Sequence, residues 1–189
     1  MTIRSANLRL VQGGLSRRPF FFGALQIVVA PSHVPPFEID ALVCEEDTWL
    51  IMSAEPREIE APEHPIRLMT ALIEAKPEPV GSVLVKGGYP LTFLAVVHDV
   101  DQDPTWNEDW IAEALINVFQ EAERRRLRAI GLPLLGTRHG KLPVNRFPEL
   151  LRRALEQHTL IHLKGLWLMT AGKNTKPIMD VLRSVFPPA

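Results

Sequence analysis

A chain of 189 residues, 46% of them hydrophobic, has the size of one domain able to bury a core. Its 21 Lys and Arg stand against 22 Asp and Glu, so no overall basic field draws it to nucleic acid or an acidic membrane, and any ligand must be recognised locally. The single cysteine, Cys44, excludes an internal disulfide and a cysteine-built zinc cluster and fits a reducing compartment.

From the N-terminus, residues 7–11 read as a strand ended by Gly13-Gly14. Ser16-Arg17-Arg18-Pro19-Phe20-Phe21 with the apolar run to Ala30 has the outline of a twin-arginine export signal. Gly23 and Gln26 interrupt the run, and Pro31-Ser32-His33 offers no small-x-small cleavage site. The expectation is therefore a cytoplasmic protein in which 25–30 is a buried strand. No apolar stretch approaches the roughly 20 residues that cross a bilayer. Residues 41–44 form a second continuous apolar run suited to a central strand, and 49–52 suggest a further one. After Pro65, Leu68, Met69, Leu72 and Ile73 fall at helical spacing until Pro77 and Pro79.

Segments 82–86 and 92–98 read as a hairpin turning over Gly87-Gly88. Asn107 can cap a helix with Glu108 and Asp109 in its first turn and an apolar stripe of Ile111, Leu115, Val118, Phe119 and Ala122. Arg124, Arg125, Arg126 and Arg128 at its far end read as a solvated, dipole-matched terminus. A strand at 129–133 follows, then a polar loop, a helix through Leu150, Leu151, Ala154 and Leu155, a strand at 163–170, and a last helix opened by Pro177. Strands alternating with helices predict an α/β fold with helices on both faces of the sheet. We read one domain over 1–189: an N-terminal extension or extra strand over 1–24, a core over 25–170 and a C-terminal helix over 171–189.

The most informative segment is Gly131-Leu132-Pro133-Leu134-Leu135-Gly136-Thr137-Arg138-His139-Gly140-Lys141-Leu142-Pro143, which leaves a strand and enters a helix. Glycines let successive backbone N–H groups point inward, and the positive end of a following helix adds to the field. Loop geometry alone leaves two readings open, an anion cradle or a plain strand-to-helix connection. His139 in this loop is placed to touch phosphate or to act as an acid.

Gly136 to Pro143 resembles the second ligand loop of macro domains, which commonly reads Gly-Thr-Gly followed by Gly and Pro. Upstream, Gly87-Gly88-Tyr89-Pro90-Leu91 leading to Val96-Val97-His98 is similar to that family's Gly-Tyr-x-Leu hairpin and strand ending in His. Ile39-Asp40-Ala41-Leu42-Val43 resembles its Val-Asp-Ala-Ile-Val strand. The resemblance, to a divergent member of the ADP-ribose-binding, Appr-1-p-processing-like macro-domain family, spans residues 25–170. It implies a three-layer α/β/α sandwich with a mixed central sheet, and an ADP-ribose-like nucleotide or an ADP-ribosylated protein as partner, with no resident cofactor and no metal. The ligand-binding residues it points to are Gly136, Thr137, Arg138, His139, Gly140, Asp47 and His33.

The same resemblance implies a degenerate pocket. Ser32 and His33 stand near the place of the adenine-binding aspartate, and Cys44-Glu45-Glu46-Asp47 replaces Asn-Ala-Ala-Asn. Asp47 falls on the second Asn, which in hydrolytic members helps place the distal ribose. No glycine occurs between Asp47 and Gly81, where the family has a glycine-rich diphosphate loop, and Arg138 replaces a loop glycine. Glu45, Glu46 and Asp47 also bring negative charge to the diphosphate's place.

Other candidates are weaker. Asp99, Asp101 and Asp103 imitate the start of a calcium loop, but Pro104 and Trp110 stand where its glycine and last glutamate belong. Cys44 and His98 end apolar runs and read as structural, and Trp49, Trp106 and Trp110 offer rings to a base. Three functions compete: a binding module for ADP-ribose or a related phosphorylated nucleotide; a hydrolase of ADP-ribosyl esters or ADP-ribose-1''-phosphate, with Asp47 and His139 catalytic; and a non-catalytic interaction or scaffold protein. A homo-oligomer is compatible with any of them.

Overall fold

The computed structural model of the chain describes residues 19–52, 76–171 and 175–186. The strand expected at 7–11, the paired arginines at 17–18 and the helix expected from Pro65 lie outside the described residues. Strands β1 (Phe20–Phe22), β2 (Leu25–Pro31), β3 (Ala41–Asp47), β4 (Val83–Lys86) and β5 (Leu91–His98) precede helix α1 (Glu108–Arg124). Strand β6 (Ala129–Pro133), helix α2 (Phe147–Glu156), strand β7 (Gly165–Thr170) and helix α3 (Thr175–Val185) complete the order. The strands form one mixed sheet in the order β1-β2-β7-β6-β3-β5-β4. β2, β7, β6, β3 and β5 run parallel, while β1 and β4 pair antiparallel at the two edges.

The period of two along each strand divides its side chains between the faces. Ile27 and Val29 of β2, Val43 of β3, Phe93, Ala95 and Val97 of β5, and Ile130 and Leu132 of β6 join one large core. The apolar stripes of α1, α2 and α3 all enter that same core, so the described helices form one outer layer. Against the other face lie Val28, Ala30, Phe37, Ala129 and Trp167. There a Cβ on Gly131 would stand 3.1 Å from both Leu42 and the Trp167 ring, so the absent side chain lets the indole lie close to β6.

α1 follows its sequence closely. The Asn107 side chain accepts the Trp110 N–H at 2.9 Å, and Ile111, Leu115, Val118, Phe119 and Ala122 are buried. At its end Arg126 adopts a left-handed conformation, with φ 56°, and the Leu127 N–H returns to the Ala122 carbonyl at 2.9 Å. That is a Schellman stop built on arginine instead of glycine, and it seats Leu127 against the core. Arg124 and Arg125 both reach Glu121.

The hairpin of β4 and β5 forms over Gly87-Gly88 as expected. The expected strand at 49–52 does not: it is a turn in which Leu50 has φ 58°. The apolar run there yields to a local carboxylate that takes its backbone N–H groups, as described below. The last strand begins at Gly165 and the last helix at Thr175, slightly later and earlier than the sequence suggests. β1 adds an edge strand within the first 24 residues. No helix among the described residues is long and apolar enough to cross a membrane.

Candidate functional site

Adjacent strands β3 and β6 send the chain in opposite directions: β3 leads toward β5, and β6 leads through α2 to β7. In open α/β sheets such a switch point, at the carboxyl ends of the strands, leaves the crevice in which ligands bind. Three segments meet there. β3 delivers Glu45, Glu46 and Asp47, β5 delivers His98, and β6 opens into the glycine loop.

Glu45 spans the junction. Its Oε1 lies 2.5 Å from His98 Nε2, and its Oε2 accepts the Gly136 backbone N–H at 3.1 Å. The register between β3 and β5 steps at the end of the pair, where Glu46 faces Val96 but Asp47 faces His98. Such a bulge re-aims a side chain, and here it brings His98 to Glu45. The His98 ring meets the His139 ring edge-on, with centroids 6.3 Å apart.

Asp47 is directed differently. Its Oδ1 accepts the Trp49 N–H at 2.7 Å, and its Oδ2 accepts those of Ile51 at 3.0 Å and Met52 at 2.9 Å. Only 1% of the residue is exposed. This cap folds 48–52 into the turn that replaces the expected strand. The buried Glu46 accepts the N–H of Asp47 at 3.1 Å and of Met52 at 2.8 Å.

The loop after β6 is held by its own backbone. Thr137 donates both its N–H, at 3.1 Å, and its hydroxyl, at 2.7 Å, to the Leu134 carbonyl. The Leu142 N–H closes on the Gly136 carbonyl at 3.2 Å. Gly136 has φ 75°, and a Cβ there would stand 2.3 Å from Ile111 Cδ1. A Cβ on Gly140 would stand 2.5 Å from the Gly136 carbonyl oxygen and 3.1 Å from the Trp106 ring. Both glycines are therefore required by the turn itself. Arg138 and His139 are exposed on this loop.

Among the residues singled out from sequence, Gly136, Thr137, Arg138, His139 and Gly140 thus lie together at the switch point. Asp47 reaches the same end of the sheet with its carboxylate turned into the 48–52 turn. His33 lies exposed beyond β2, which β7 and β6 separate from β3. Glu45 and His98 are the members that a reading of single motifs misses. The available signal was register: Glu45 shares the parity of Ala41 and Val43, both core-facing, and an acid at such a position requires a partner.

Burial, then the Glu46 charge, pushes the Cys44 thiol up, with Lys86 opposing, which keeps it from being a ready nucleophile. Asp99 accepts the Asp101 N–H at 3.1 Å and the Gln102 amide at 2.5 Å, while Asp101 accepts Trp49 Nε1 at 2.9 Å. Those carboxylates serve local bonds, and no group of metal-ligating side chains able to hold an ion occurs among the described residues.

No family model and no curated protein matches the chain. Solved structures do. The Oceanobacillus iheyensis macrodomain with ADP superimposes at a TM-score of 0.66 with 14% identity, covering 90% of this chain and 96% of that one. The Trypanosoma brucei macrodomain in complex with ADP-ribose gives 0.60 and 18%, over 88% and 74% of the two chains. The macro domain of ganglioside induced differentiation associated protein 2 gives 0.61 and 15%, over 86% and 85%. At these identities the likeness speaks of architecture, and it agrees with the mixed sheet and its strand order: the chain has the macro-domain fold.

Proposed function

We propose that this chain is a binding module for ADP-ribose or a related phosphorylated nucleotide, with a pocket altered from the family pattern, working in the cytoplasm on the free nucleotide or an ADP-ribosylated protein. The observation that carries the reading is the Gly136–Gly140 loop. It stands at the switch point of a fold whose solved examples include complexes with ADP and ADP-ribose. Arg138 is exposed on it and supplies a guanidinium able to grip phosphate bidentately.

The hydrolytic alternative fits the geometry less well. It asks Asp47 to orient water or a ribose hydroxyl, and both Asp47 oxygens already accept backbone N–H groups. A non-catalytic interaction protein is the second reading, favoured by Glu45, whose carboxylate takes the Gly136 N–H that a phosphate would use.

Calorimetric titration with ADP-ribose, with AMP and NAD alongside, tests the reading. Binding in the micromolar range that weakens by about tenfold in Arg138→Ala, or about 1.4 kcal/mol, is the expected result. No heat up to millimolar ADP-ribose favours the interaction protein.

A further inference from the structure

We infer that Glu45 is the specificity-determining residue of the switch point: its carboxylate sits in the anion seat of the Gly136 loop, and a phosphate group enters only by displacing it. The nature of the incoming ligand rests on the nucleotide-binding reading above. The seat itself rests on separate observations.

The first is the double attachment of the carboxylate, one oxygen on His98 and the other on the Gly136 N–H. A phosphate brought to the same N–H would meet the carboxylate at contact distance, and two like charges that close in a half-dry site repel strongly. The second is burial. The Glu45 and His98 side chains are 8% and 4% exposed, so this is a desolvated pair held in one place rather than a surface acid that swings through the site. The third is the rigidity of the donor. With φ 75° and Ile111 closing the space beside its Cα, Gly136 keeps a fixed backbone orientation and its N–H keeps its direction toward β3.

The neighbouring acids do not share this role. Glu46 and Asp47 accept N–H groups of the turn after β3, whereas Glu45 reaches from β3 to the β6 loop. His98 is a positioning residue in this scheme, since it holds the carboxylate oxygen that does not face the Gly136 N–H. The consequence is a site that discriminates against phosphate until the internal carboxylate is neutralised or displaced.

The test follows the Gly136 backbone amide resonance of the full-length chain during titration with pyrophosphate and, separately, with ADP-ribose. Wild type, Glu45→Ala and Glu45→Gln are compared, with thermal melts to verify folding. The expected result is a Gly136 response to pyrophosphate at least tenfold more sensitive in Glu45→Ala than in wild type, with Glu45→Gln in between, because its neutral amide still fills the seat. If the alanine variant fails to fold, the near-isosteric glutamine variant decides by the same comparison. Folded variants that respond to pyrophosphate no better than wild type overturn the inference, even where ADP-ribose binds all three and the nucleotide reading stands. A sharpened pyrophosphate response with no ADP-ribose binding in any of the three supports the seat and sinks the ADP-ribose reading.

Discussion

At the base of the sheet, where the parallel strands begin, Asp40 accepts the N–H groups of Arg128 and Ala129, and Glu123 accepts those of His162 and Leu163. At the top, where the strands end, Glu45 takes the Gly136 N–H and Asp47 takes three from the following turn. Both ends thus satisfy orphan backbone donors with carboxylates. They differ in exposure. The base carboxylates are partly open to water, which can replace them, so they tie connections together and little more. The top carboxylates are buried among the donors nearest the loop, and they decide which of those donors a ligand can reach.

Removing a carboxylate from each end separates the two roles. The largest effect is expected from Asp47→Ala, which removes a buried carboxylate from three backbone donors at once. A loss of about 3 kcal/mol is expected, read as a fall in Tm of about 6–12 °C. A loss under about 0.5 kcal/mol would show that the turn holds without its cap. Asp40→Asn at the base is expected to cost about 1–2 kcal/mol in denaturant unfolding and to leave the anion response of Gly136 unchanged. A changed response there would break the distinction between the ends.

The smallest effect concerns acid. Burial pulls the Glu123 carboxyl up, but the N–H groups of Leu163, His162 and Ile161 outweigh it and hold it below the ordinary value of 4.5. With the folded-state value depressed, its stabilisation is present above the unfolded-state pKa and is lost as pH falls through the lower folded-state value. Glu123→Gln is therefore expected to lower stability by about 1 kcal/mol at pH 7 and to converge on wild type as the pH drops below 4.5. Melting curves that stay parallel across that range would assign the contact no electrostatic weight.

Much of the fold is legible in the sequence because its signals are local. The apolar run at 25–30, the Gly87-Gly88 turn and the Asn107 cap each declare an element within a few residues. Residues 49–52 mislead for the same reason: Trp, Leu, Ile and Met read as strand, yet the carboxylate just before them offers their N–H groups a closer acceptor than any neighbouring strand. The glycine loop is legible at the candidate site, since Gly136 and Gly140 announce a turn no other residue type fits. What fills it is not, because Glu45, His98 and Gly136 meet only through the parallel register of β3 with β5 and the switch to β6. The acidic run at 45–47 reads as one block of charge in sequence, and the fold divides it: Glu45 turns to His98 and the β6 loop, while Glu46 and Asp47 share the Met52 N–H of the following turn.

The strand order also governs how the chain must assemble as it leaves the ribosome. Among the described strands β2 finds its parallel neighbour in β7, where Gln26 meets Gly165, so everything up to Thr170 must emerge before that half of the sheet can close. Until then β2 lacks the strand it pairs with in parallel, while β3, β4 and β5 can already pair among themselves. Pairing across so long a stretch of chain is the kind of contact that topology makes slow to form.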